Sequence, residues 1–121
     1  TDGSHTFNTA VGFAAGENTS TGTVNTFVGG NAGNLNTTGN NNTAVGYVAL
    51  STNTSGVRNV AVGAQAMLRN TTGDFNTGVG RDALLNNTTA DNNIGIGYGA
   101  GYSITTGADN TAVGVNALDA K

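Results

Sequence analysis

Asn42-Thr43-Ala44-Val45-Gly46-Tyr47-Val48-Ala49-Leu50 belongs to a phrase that the chain repeats seven times. The lead Asn returns at Asn8, Asn25, Asn42, Asn59, Asn76, Asn93 and Asn110, always at an interval of 17 and without insertion or deletion. Four residues on stands a glycine: Gly12, Gly29, Gly46, Gly63, Gly80, Gly97 and Gly114. The residue before it is always Val or Ile, from Val11 through Val45 to Val113. Three after it comes an alanine: Ala15, Ala32, Ala49, Ala66, Ala83, Ala100 and Ala117. The back half of the unit carries Asn-Thr-Thr-Gly, as in Asn36 to Gly39 and Asn70 to Gly73.

A short period sustained at this fidelity marks a solenoid. Helix is a poor reading, because Gly and the β-branched Thr and Val fall in every unit. A flexible linker would not hold Val, Gly and Ala at single phases. The chain therefore reads as all-β, a β-solenoid with one 17-residue coil per repeat. Residues 1–121 form a single array of seven coils. Thr1 and Lys121 fall partway through a repeat and no atypical end repeat is visible, so the chain reads as a fragment of a longer fibrous one.

Within a coil, Asn-Thr-Ala-Val-Gly is expected to form a short strand whose side chains alternate in and out. The constant Val11 series, with Thr9, Thr26 and Val60 two residues earlier, is expected inward, and the middle Ala10, Ala44, Ala61 and Ala112 outward. The Gly allows a turn that a Cβ would obstruct. The constant Ala fits a second short inward strand. Asn-Thr-Thr-Gly closes the coil, with Asn and Gly at positive φ. The lead Asn is expected to stack on its copies as an amide ladder, and Thr rows to pair similarly. Leu50, Met67, Leu68, Leu84, Leu85 and Leu118 follow the constant Ala and look too large for a tight interior. Association around a threefold axis would bury them; a widened corner of each coil is the other place for them.

Gly, Thr and Asn number 20, 20 and 19, nearly half of the 121 residues. The net charge is −3, and Arg58, Arg69 and Arg81 stand apart, so the basic stripe that phosphate backbones require is missing. Without Cys there are no thiolate metal sites or disulfides. The most apolar run, Val60 to Leu68, is too short to span a membrane.

Catalytic groups are scarce. His5 is the sole histidine, so no Ser/His/Asp set forms beyond it. Glu17, Asp74, Asp82, Asp91, Asp109 and Asp119 fall at several phases, whereas a glycosidase needs two carboxylates on one patch. Asp74, Asp91 and Asp109 near successive repeat ends read as a solvated edge. No catalytic, cofactor or metal residues are expected: Gly95 to Gly101 lacks the Lys of a phosphate loop, and the Ca-binding nonapeptide has no counterpart. Sequons at Asn18, Asn36, Asn53, Asn70 and Asn87 follow from the repeated turn. What varies is the pair of positions after the constant Gly. Phe13, Asn31, Tyr47, Gln65, Arg81, Asp82, Tyr98 and Asn116 form the candidate ligand or interface stripe.

The phrase Asn42 to Leu50, with its fellow Asn110 to Leu118, resembles the head repeats of YadA-type trimeric autotransporter adhesins, whose unit reads Ser-Val-Ala-Ile-Gly. It is similar also to repeat arrays of bacteriophage tail fibres. The resemblance covers the chain from Asn8 onward. It implies a left-handed parallel β-roll, a side-by-side homotrimer, extracellular display on a virion or cell surface, and attachment to a host-surface glycan or protein. Here the repeat is longer, through its Asn-Thr-Thr-Gly turn, and opens with Asn-Thr. The expected function is that of a rigid spacer and multivalent attachment surface in a surface fibre, not an enzyme. The alternatives are the non-catalytic part of a polysaccharide-binding tailspike and an ice-binding solenoid built on Thr and Asn rows. Against the ice-binding alternative stands the expected placing of Thr inside the coil and in turns.

Overall fold

The computed structural model describes residues 6–119. It is a β-solenoid: seven three-residue strands stack in parallel as one sheet in chain order. They are β1 (Thr9–Val11), β2 (Thr26–Val28), β3 (Thr43–Val45), β4 (Val60–Val62), β5 (Thr77–Val79), β6 (Ile94–Ile96) and β7 (Thr111–Val113). Every pairing keeps the same register, Thr26 on Thr43 and Val28 on Val45, so each residue sits on its copy one repeat away. Hydrogen bonds join neighbouring coils beyond the strands too. Asn31 N–H donates to Phe13 O at 2.8 Å and Leu50 N–H to Ala66 O at 3.0 Å. The ladder thus runs around much of the circumference.

Alternation holds, but with the opposite sense to the sequence reading. The middle residue of the strand is the inward one: Phe27 is 1% exposed, Ala44 and Ala61 0%. The Thr and Val that flank it face out, with Val45 at 36% and Val113 at 65%. The reason is the lead Asn. Asn25, Asn42, Asn59, Asn76 and Asn93 are fully buried, and a strand that points its first residue inward must also point its third inward.

Two Asn rows hold the interior. Each lead Asn takes the backbone N–H of the next lead Asn on its Oδ1, as Asn59 does from Asn76 at 2.9 Å. Its Nδ2 donates across the coil to a carbonyl, Asn59 to Gly73 O at 2.8 Å. The side-chain-to-side-chain ladder expected of this row runs mainly in the other one. Asn53, Asn70 and Asn87 each donate Nδ2 to Oδ1 of the copy one coil before, at 2.8 to 2.9 Å. The same Nδ2 atoms reach the carbonyl of the Gly or Ala three residues on. A buried amide with donors and acceptors met this way has its desolvation cost offset by the hydrogen bonds it makes. Among the described residues the threonines do not pair hydroxyl to hydroxyl. Thr37, Thr54 and Thr71 donate Oγ1 to the carbonyl of the next coil.

The large apolar side chains are inside, in the widened corner. Leu50, Met67 and Leu84 are 0% exposed and pack with the Ala rows. Their burial removes the reason for expecting a threefold interface at that phase. Of the remaining three of that set, Leu85 is 8% exposed, Leu68 is half-buried and Leu118, on the last coil, is open at 55%. The constant Ala does fill a place for a small group, but in a run of tight turns rather than a second strand. The left-handed residues are also elsewhere than expected. Asn36 and Gly39 do not have positive φ; a Cβ on Gly39 would lie 2.4 Å from Gly56 O, so space, not dihedral freedom, demands glycine there. The corners fall at three other places in each coil, exemplified by Asn41 (φ 59), Val48 (φ 51) and Leu50 (φ 52). The Gly after each strand behaves as expected: Gly46 has φ 134, and its Cβ would meet Gly63 C at 2.6 Å.

Candidate functional site

The buried constant rows, Asn, Ala and the strand-ending Gly, are occupied with holding the coil together, and the variable stripe is the candidate site where side chains differ from coil to coil. It forms a ridge beyond the strand-ending Gly. Phe13 is 82% exposed, Tyr47 62%, and Tyr98 51%. The second residue of each stripe pair takes the left-handed corner, from Asn31 (φ 57) and Gln65 (φ 61) to Asp82 (φ 60) and Asn116 (φ 53). That corner lifts the first residue clear of the surface. Phe13 and Tyr47 lie two coils apart, roughly 10 Å along the axis, so the stripe is not one site.

Part of it does converge. Asp82, Tyr98 and Asn116 line a cleft of about 280 Å3 with Gly99, Tyr102 and Asp119. Gly99 opens the cleft: the place where its side chain would stand is taken by Asn116, whose Oδ1 lies 2.5 Å from the ideal Cβ position. Asp119 is steadied by Ser103, whose hydroxyl donates to its Oδ1 at 3.0 Å. Asp82 is the unusual member. Its Oδ2 faces Arg81 Nε at 3.4 Å, while its Oδ1 is buried and, among the described residues, is the one buried side-chain oxygen or nitrogen with no hydrogen-bond partner. A buried acceptor left unsatisfied is unfavourable by about 1–3 kcal/mol.

Tyr102 and Asp119 were missed in the sequence. They share a phase nine residues after the lead Asn, where Glu17, Asn34 and Ser51 also vary. Variation at that phase was the available signal. Tertiary stacking also brings two carboxylates, Asp82 and Asp119, to one cleft although their phases differ.

Other residues singled out have structural employment. Asp74 Oδ1 accepts the N–H of Val57 at 2.8 Å, and Asp91 Oδ1 that of Asp74 at 2.7 Å, so this acidic row caps the backbone of the coil before. Asn36, Asn53, Asn70 and Asn87 are 0% exposed, so the folded chain cannot accept a glycan on them; Asn18 is exposed. His5 lies outside the described residues. Among the described residues no three His, Cys, Asp or Glu side chains group to hold a metal, and no helix is long and apolar enough to cross a membrane. Compared with protein-family models, curated proteins and solved structures, the chain matches none.

Proposed function

We propose that this chain is a rigid segment of a surface-displayed fibre that spaces and attaches, with the ridge as its attachment surface. The observation that carries the reading is the division of labour between rows. The buried scaffold rows repeat in every coil and are consumed by hydrogen bonds and packing, whereas the ridge changes from coil to coil and is exposed at Phe13, Tyr47, Arg81, Tyr98 and Val115. The likeness to adhesin heads supports the same use. The cleft at Asp82 is the strongest single contact point, and its tyrosines and carboxylates suit a neutral, hydroxyl-bearing ligand on a host surface. Single contacts of this size are weak, and display in many copies adds them through effective concentration.

Beads coated with the segment, presented to candidate host cells under flow, test the attachment. Adhesion should exceed that of beads bearing an inert spacer and fall with Asp82→Asn combined with Tyr98→Ala. Equal adhesion of both coatings ends the attachment reading. Side-by-side trimerisation belongs to the same proposal and rests on the family likeness, since the leucines are internal. Light scattering over a dilution series decides it: a persistent mass three times 11.9 kDa supports it, a monomer removes it.

A further inference from the structure

We infer that the outer face of the seven-stranded sheet binds ice, separately from the ridge. The two outward rows of the sheet contain only β-branched residues. One row is Thr except at Val60 and Ile94; the other is Val or Ile throughout, from Val11 to Val113. None of these positions carries a charge, an amide or an aromatic ring. The sequence argued against ice binding because Thr was placed partly inside the coil and partly in turns, with no exposed Thr-x-Thr strand in every coil; the observed alternation puts the strand Thr outside, paired across the strand with Val rather than a second Thr.

The geometry is that of a two-row mesh. Rows repeat at about 4.8 Å along the axis and lie about 6.7 Å apart across the strand. All six strand pairs share one register, and the Gly after each strand keeps φ between 120 and 134, so each coil repeats the one before. β-branched side chains have little χ1 freedom, so hydroxyls and methyls stand at fixed points. Threonine's methyl has the shape of valine's, and its hydroxyl adds a donor and an acceptor. Such an array holds water in a repeating pattern: methyl groups fix the cages and hydroxyls anchor them.

The dimensions select the partner. The strip is roughly 30 Å by 7 Å, about 200 Å2, far below the ~800 Å2 per side of a stable protein interface. A face for glycan chains would present aromatic platforms, and these stand on the ridge instead. A crystal of water asks only for registry, and every coil adds to it.

Nanolitre osmometry on the folded segment tests the inference. The expected result is a gap between melting and freezing points that grows with concentration, with faceted crystals. Thr43→Lys and Val62→Lys, at the centre of the face, should each remove the gap. Tyr47→Lys, on the ridge, should keep it, with circular dichroism confirming the fold of all three. Direct adsorption of fluorescently labelled wild type to a growing ice crystal gives a second readout that needs no variant. Absence of both gap and adsorption in the folded wild type overturns the inference. So does a gap that survives both face substitutions. The bead-adhesion outcome bears on the ridge and is independent of either.

Discussion

At Asn59 a single residue ties three coils. Its N–H donates to Asn42 Oδ1, its Oδ1 accepts from Asn76, and its Nδ2 reaches Gly73 O. Asn59→Ala would strand the buried N–H of Asn76, which is worth about 1–3 kcal/mol, with a small cavity besides. Urea unfolding should show that loss, while Asn18→Ala, at an exposed site, should change stability by less than about 0.5 kcal/mol. Equal effects from the two substitutions would remove the Asn row as the organising feature of the interior. The constancy of this Asn was plain in the sequence. Its direction was not, because an amide reads equally well as a surface ladder or as a buried one until its partners are placed. The three left-handed corners were hidden for a related reason. Val24, Val48 and Phe75 (φ 59, 51 and 58) are poor residues for that region, so no local preference announces them.

The coil interiors from the second to the fifth each balance a large group against a small one. In the second coil the strand supplies Phe27 and the corner is Gly33; in the third the strand supplies Ala44 and the corner is Leu50. The fifth pairs Gly78 with Leu84. A Cβ on Gly33 would lie 2.5 Å from the Phe27 ring, and one on Gly78 2.8 Å from Met67 Cγ of the neighbouring coil. Gly33→Leu alone should therefore destabilise through overpacking, and Phe27→Ala alone by about 3–5 kcal/mol through a cavity. The double substitution copies the third coil into the second and should be more stable than either single one, as thermal melts would read directly. A double variant weaker than both would show that the pairing is coincidental. The sequence displayed the leucines and Phe27 but not their exchange, since the partners stand six residues apart and meet only when the coil closes.

The whole molecule is a column in which each coil touches only its neighbours. Deleting residues 59–75, one full period, joins Arg58 to Asn76 and should leave a folded six-coil array. Its urea m-value and stability should be lower, as expected when one interface is lost. Deleting 59–74 instead leaves one 18-residue coil at the junction, with Phe75 as an extra residue between Arg58 and Asn76, and should cost more stability than the full-period deletion. If both deletions unfold alike, the coils do not behave as interchangeable units.

The amino-acid sequence by itself determined the period, the register and the all-β solenoid class, because stacked copies need nothing beyond identity at a fixed spacing. It determined the position of every strand and the need for Gly at its end. Only the tertiary structure decided which side of the strand faces the axis. Alternation has a parity but no sign, and the sign depends on how the corners close the ring around the buried Asn rows. From that one choice follow the internal leucines, the outward Thr and Val rows, and the cleft that Asp82 and Asp119 line from two coils apart.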